Sequence, residues 1–218
     1  MSFILSLTID GGIVMAADNT MSVKLNKGWH VSNEYRKLYI TSHNMGISCG
    51  GDTETKSGIS ILQLLNQFIS NINILTHDTP LKVSQSLLDF VRCFDAESNF
   101  TFHLSGYEIK NNIAAPQIIR IRTCKNDITL CNKNPNVPFA AWDAADETPA
   151  VFIKNAHKYN FWDSLETATR FINFVFKACS DTIKRIEGAG IIGAKPDILA
   201  IYPFSYEWVN LNELGGEK

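Results

Sequence analysis

The sequence predicts an α+β fold, a sandwich of two antiparallel sheets between helical layers. Three observations carry this expectation. The chain opens on two strand-like runs joined by a glycine turn. Three later stretches repeat apolar residues every three or four positions, the period of a helix with one buried face. The order is strands, two helices, strands, one helix and strands, which suits sheets covered by helices.

Phe3 to Ile9 and Ile13 to Ala17 are apolar runs around Asp10-Gly11-Gly12, a hairpin pattern. Asn19 to Asn33 reads as a polar loop. Glu34 to Ile40 alternates and reads as a strand that carries Lys37. His43-Asn44 marks a turn, Met45 to Cys49 a short strand, and Gly50-Gly51-Asp52 its end. From Thr53 to Ile72 the period changes, and Ile59, Leu62, Leu65, Ile69 and Ile72 form an apolar stripe. Thr79-Pro80 opens a second helix running to Phe94, with proline in its first turn and Val83, Leu87 and Val91 on its buried face. Phe100 to Tyr107, Gln117 to Arg122, Ile128 to Cys131 and Val137 to Trp142 read as strands. Trp162-Asp163-Ser164 starts the longest helix, to Arg185, capped by Asp163 or Ser164. Leu165, Ala168, Phe171, Ile172, Val175, Cys179 and Ile183 make its face. Asp197 to Tyr202 is a late strand, followed by a turn and an edge strand through Trp208. No repeat or linker divides the chain, so one domain over residues 1–218 is expected.

A length of 218 residues can bury a substantial core, and an apolar content of 45% places the chain among globular proteins. The net charge of −2 supplies no attraction for nucleic acid or an anionic membrane. No apolar run reaches the roughly 18 residues of a membrane span, and the start lacks the basic region of a leader. Cys49, Cys93, Cys124, Cys131 and Cys179 are odd in number and scattered, which fits neither a disulfide framework nor a zinc site and points to a reducing cytoplasm. His30, His43, His77, His103 and His157 show no ligand spacing, and there is no phosphate-binding glycine loop, so no metal or cofactor is expected. Cys49 reads as a buried core thiol. The aromatic residues in Tyr159 to Trp162 and Phe171 to Phe176 read as core or subunit interface.

Chemistry enters at the second residue. Once Met1 is removed, Ser2 carries a hydroxyl and a free α-amine. Such an amine has a pKa near 8, so part of it is neutral at neutral pH and can serve as base for its own hydroxyl. Taken singly, Ser2, Asp18, Lys37 and Gly50 have ordinary readings: a start residue, a strand end, a solvated face and a turn.

Together they resemble a proteasome β subunit of the N-terminal-nucleophile (Ntn) hydrolases, in its bacterial proteasome-like branch. Gly12-Ile13-Val14-Met15-Ala16-Ala17-Asp18 matches the second strand of that family, and Ser2 lies at the family's spacing from Asp18. Arg36-Lys37-Leu38 is similar to the strand with its active-site lysine, and Gly46 to Gly51 to the strand and double glycine that follow. The resemblance is specific over about the first 70 residues and topological beyond. It implies a four-layer αββα sandwich, with Ser2 as nucleophile, Lys37 lowering the hydroxyl's pKa, Asp18 holding Lys37, and the Gly50 N–H helping to bind the oxyanion. The activity implied is a threonine/serine-type peptidase or other amidohydrolase. Its partners would be a peptide or amide substrate and further copies in a ring or other homo-oligomer; an unfolding ATPase is left open.

Two stretches depart from the pattern. Ala140 to Asp146 lacks the serine of the family's Gly-Ser-Gly turn, and Gly188 to Asp197 lacks its Asp and Ser-Gly-Gly turn. Either another residue orients the amine, Asp143 being the candidate, or the chain belongs to a degenerate or divergent branch. The alternatives are a non-catalytic scaffold subunit of the same fold and a small-molecule amidase.

Overall fold

The computed structural model describes residues 2–25, 28–32, 35–41, 44–71, 78–135, 137–144, 147–156, 162–187 and 192–209. Strands β1 (Phe3–Ile9) and β2 (Gly12–Asp18) form the expected hairpin, turning at Gly11 with φ +74. They sit at the centre of a five-stranded antiparallel sheet with β10 (Ala140–Ala144), β11 (Pro196–Ile201) and β12 (Tyr206–Trp208), in the order β10-β1-β2-β11-β12. A second antiparallel sheet runs β5-β6-β7-β8-β9. Its strands are β5 (Leu38–Ile40), β6 (Gly46–Gly51), β7 (Phe100–Lys110), β8 (Ile113–Arg122) and β9 (Asp127–Leu130). The helices are α1 (Ile61–Asn71), α2 (Pro80–Phe94), α3 (Thr148–Ala156) and α4 (Leu165–Glu187).

The largely apolar run of β1, interrupted by Ser6 and Thr8, follows from burial on both faces. Phe3, Leu5 and Leu7 pack with Ile172, Val175 and Phe176 of α4, and Phe3 stacks on Phe176 at 4.2 Å. Ile4 points the other way, into a cluster with Met15, Leu38, Ile118 and Leu199 drawn from both sheets. A third cluster joins Ile47, Phe102 and Ile121 to Leu64 and Leu65 of α1 and Leu87 and Val91 of α2.

Several expectations are corrected. The polar stretch after Asp18 is a hairpin, β3 (Met21–Leu25) with β4 (Gly28–Ser32). The strand around Lys37 begins only at Leu38, because Lys37 itself turns inward to Asp18; Glu34 lies outside the described residues. The first helix begins at Ile61 instead of Thr53. A turn precedes it, with Gly58 at φ +83 and the Thr55 hydroxyl accepting the Ile59 N–H at 3.0 Å. Its buried side is Ile61, Leu64, Leu65 and Phe68, one position from the expected stripe; Ile72 lies outside the described residues. Pro138 delays β10 to Ala140, and α3 was not expected at all. Helix α2 matches its expected bounds, and Thr79 accepts the Lys82 N–H at 3.3 Å as its cap. Ser164 caps α4, accepting the Thr167 N–H at 3.3 Å.

Candidate active site

Asp18 closes β2 and is fully buried, as is Lys37 to within 2% of its surface. The Lys37 ammonium donates to both Asp18 oxygens, at 2.9 and 3.0 Å, and to the Thr20 carbonyl. Those three bonds use all three N–H donors of a lysine. Two backbone amides complete the carboxylate's shell: Phe3 N–H at 2.8 Å and Gly193 N–H at 3.5 Å. The Phe3 bond is the one that matters for placement, since it ties the residue after Ser2 to the buried ion pair. Burial pushes the Asp18 carboxyl above its ordinary 3.8, and the Lys37 charge followed by the Phe3 N–H draws it back.

Ser2 is half-buried and lies against Gly50, where a Cβ would stand 3.4 Å from the Ser2 Cβ. Gly50 faces Thr101 in the β6–β7 ladder. Gly51 holds φ +96, and a side chain there would run into the Asn99 carbonyl at 2.1 Å, so this position needs glycine. Ser2, Asp18, Lys37 and Gly50 are thus gathered at one end of the two sheets. Among the described residues the Ser2 hydroxyl makes no hydrogen bond, and the three bonds of the Lys37 ammonium go to Asp18 and Thr20. Met1 lies outside the described residues.

Burial also settles Cys49. Its thiol is pushed up to about 12 by burial, with Lys37 pulling the other way, so it behaves as a core residue.

Gly193 was missed by sequence reasoning, because a backbone donor leaves no side-chain signal. A Cβ on Gly193 would meet Thr20 Oγ1 at 2.5 Å, so glycine brings this loop onto Asp18. A second polar group, of which only Asp143 was singled out in the sequence, bridges the sheets beside β1. The Ser6 hydroxyl lies 3.2 Å from His103 Nδ1, and His103 Nε2 lies 2.8 Å from Asp143 Oδ2. Arg120 Nε stands 2.6 Å from the same oxygen and its Nη2 donates to the Trp142 carbonyl at 2.8 Å. Burial lowers the pKa of His103 from 6.5, against the pull of Asp143. Burial of Asp143 is outweighed by His103 and then Arg120, which together hold its carboxyl below 3.8. Of the regions that depart from the proteasome pattern, residues 145–146 and 188–191 lie outside the described residues.

No protein-family model and no curated protein matches the sequence. Solved structures do. A Gly-1 mutant of Anbu from Hyphomicrobium sp. strain MC1 matches with TM-score 0.69 and 15% identity, over 97% of this chain and 88% of that one. Anbu from Yersinia bercovieri, described as an ancestral β-subunit, matches with TM-score 0.69 and 14% identity, over 96% and 87%. The helical assembly of the Anbu complex from Pseudomonas aeruginosa matches with TM-score 0.66 and 14% identity, over 97% and 88%. The chain therefore has a proteasome β-subunit-like fold, similar to that of Anbu.

Proposed function

We propose that this chain is an Ntn amidohydrolase, a threonine/serine-type peptidase acting through Ser2 once Met1 is removed. The observation that carries the reading is the fully buried Asp18–Lys37 pair, bonded to the Phe3 N–H and set beside the Ser2–Gly50 contact. A buried ion pair is a poor way to gain stability, so its place next to a half-buried hydroxyl favours a chemical role. The Ser2 amine takes the hydroxyl proton as Oγ attacks the amide carbonyl. Lys37 favours the developing negative charge, and Gly50, lacking Cβ, leaves room for its backbone to approach the oxyanion. Collapse breaks the C–N bond, the proton passes to the leaving amine, and water then hydrolyses the Ser2 ester. This chemistry requires no cofactor.

The three buried clusters support one domain over 1–218, layered α3/α4, sheet, sheet, α1/α2 as a four-layer sandwich. The helical assembly of the Anbu complex from Pseudomonas aeruginosa supports self-association here. Five free cysteines support a reducing cytoplasm; no helix among the described residues is long and apolar enough to cross a membrane.

A non-catalytic scaffold subunit is the second reading. It is favoured by the Lys37 donors all being engaged away from Ser2. Intact mass before and after treatment with a peptide epoxyketone or β-lactone tests both. An adduct on Ser2 of the wild-type chain, absent from Ser2→Ala, is expected. A chain freed of Met1 that both reagents leave unmodified would abandon catalysis in favour of the scaffold.

A further inference from the structure

The base in an N-terminal nucleophile is an amine at a chain end, free to rotate. For its lone pair to face its own hydroxyl, a third group must hold it. Backbone alternation says where to look. Along an antiparallel strand, successive N–H groups point to opposite neighbours. In β1 the Phe3 N–H points to the β2 side, at Asp18, and the Thr8 N–H points to the β10 side, at the Phe139 carbonyl. Ser2 shares the parity of Thr8, so its nitrogen points toward β10.

The side chains share one face of the sheet. Ile4 is paired with Asp143 and belongs to the cluster between the sheets. Ser2, two residues earlier, lies on that same face, which makes Asp143 its diagonal neighbour, at roughly 7–8 Å between backbones. The Asp143 carboxylate is 29% exposed, whereas its partner His103 is fully buried. Its Oδ2 is held by His103 and Arg120, and Oδ1 makes no hydrogen bond among the described residues.

We propose that Asp143 is a positioning residue for the Ser2 amine, its free Oδ1 accepting an amine N–H and so turning the lone pair toward Oγ. This rests on the Ser2 reading above. Arg120 is what makes such a carboxylate usable. An unpaired carboxylate would fix the amine as ammonium and remove the base; Arg120 offsets that charge, and His103 locks the side chain from the opposite sheet. Among the described residues, the other charges near this end of the sheets are the Asp18–Lys37 pair on the β2 side and Arg122, which acts on Asp143 and is itself paired with Asp127 at 3.3 Å. Cys131, half-buried near Asp143, is a thiol raised by burial and stays neutral.

The test reads the amine directly, so it does not depend on turnover. Chains beginning at Ser2 are released from a cleavable N-terminal fusion, labelled with ¹⁵N-serine, and the amine is titrated by NMR. Asp143→Asn is expected to lower the amine pKa by about one unit, and Arg120→Gln to raise it. Opposite shifts cannot arise from a general loss of structure. An amine pKa unchanged in both variants overturns the proposal, whether or not the wild-type chain is an enzyme. Where the epoxyketone does label Ser2, Asp143→Ala should cut the labelling rate about tenfold or more at saturating reagent, with Asp143→Glu restoring part of it. Labelling of Asp143→Ala at the wild-type rate also overturns it, leaving the Ser2 nucleophile intact.

Discussion

Lys37 carries two consequences that a paired variant separates. Replacing it by Met leaves the Asp18 carboxylate buried with only the Phe3 and Gly193 amides, a loss of about 3–5 kcal/mol. Restoring neutrality with Asp18→Asn in the same chain should recover much of that stability while leaving Ser2 unlabelled by the epoxyketone. Urea unfolding and intact mass read the two effects. Recovery of labelling along with stability would show the pair to be structural only. His103 supplies a second residue-scale prediction. Its pKa in the fold lies below its ordinary 6.5, so below that pH the unfolded chain binds the extra proton first. Stability present above pH 6.5 is therefore lost as pH falls toward the lowered value, by at most about 1.4 kcal/mol per pH unit for one proton. Asp143 is held below 3.8, so its contribution is lost only at still lower pH. The urea midpoint should drop between pH 7 and 5 in the wild-type chain and much less in His103→Gln. Equal pH dependence in both would mean that His103 is not the group responsible.

The contact between the sheets is where element geometry is least forgiving. A Cβ on Gly46 of β6 would stand 2.3 Å from Met15 Sδ and 2.8 Å from Ile201 Cδ1, on the opposite sheet. Gly46→Ala should cost about 1–3 kcal/mol in urea unfolding as those side chains shift. A neutral outcome would show that Met15 and Ile201 move freely. That contact is invisible in the sequence, where Gly46 is merely one of several glycines. The elements that were legible are those whose burial imposes a period. The β1–β2 hairpin and α2 were read to within a residue or two, because both carry a strict apolar pattern and a turn or cap. The β3–β4 hairpin was read as loop although Met21, Val23 and Leu25, and then Trp29 and Val31, alternate with polar residues; each run is only five residues long, and the polar residues around it masked the period. Helix α3 was missed because Thr148 to Ala156 is short, and Val151 and Phe152 suit a strand as well as a helix. At the site, Ser2, Asp18, Lys37 and Gly50 were legible through resemblance. Of the His103–Asp143–Arg120 group only Asp143 was singled out, because His103 and Arg120 pair across β7 and β8 and meet Asp143 of β10 only when the sheets stack.

At the scale of the whole molecule the two helical layers differ. The α1/α2 side exposes few large apolar side chains, among them Leu81 and Phe94, spaced a full 13 positions apart along α2. The α3/α4 side gathers its exposed residues. Val151 is 62% exposed and Phe174 58%, and they border a groove of about 700 Å³ that Phe152 and Phe171 also line. Phe152 meets Phe174 edge-on at 5.6 Å, so the two helices present one continuous aromatic patch. Such a patch is costly to leave in water, and the self-association proposed above would cover it with a second copy. Because these side chains are exposed, changing them should leave the isolated chain's fold intact. Phe174→Glu and Val151→Glu should therefore lower the sedimentation-derived mass toward that of the 24.4 kDa chain, with unchanged circular dichroism. A wild-type chain that sediments as a monomer at all concentrations would remove self-association from the reading. Variants that assemble as before would move the contact to another face. If Ser2 labelling also falls when assembly is lost, the site depends on the neighbouring copy, and activity should then rise more steeply than linearly with protein concentration.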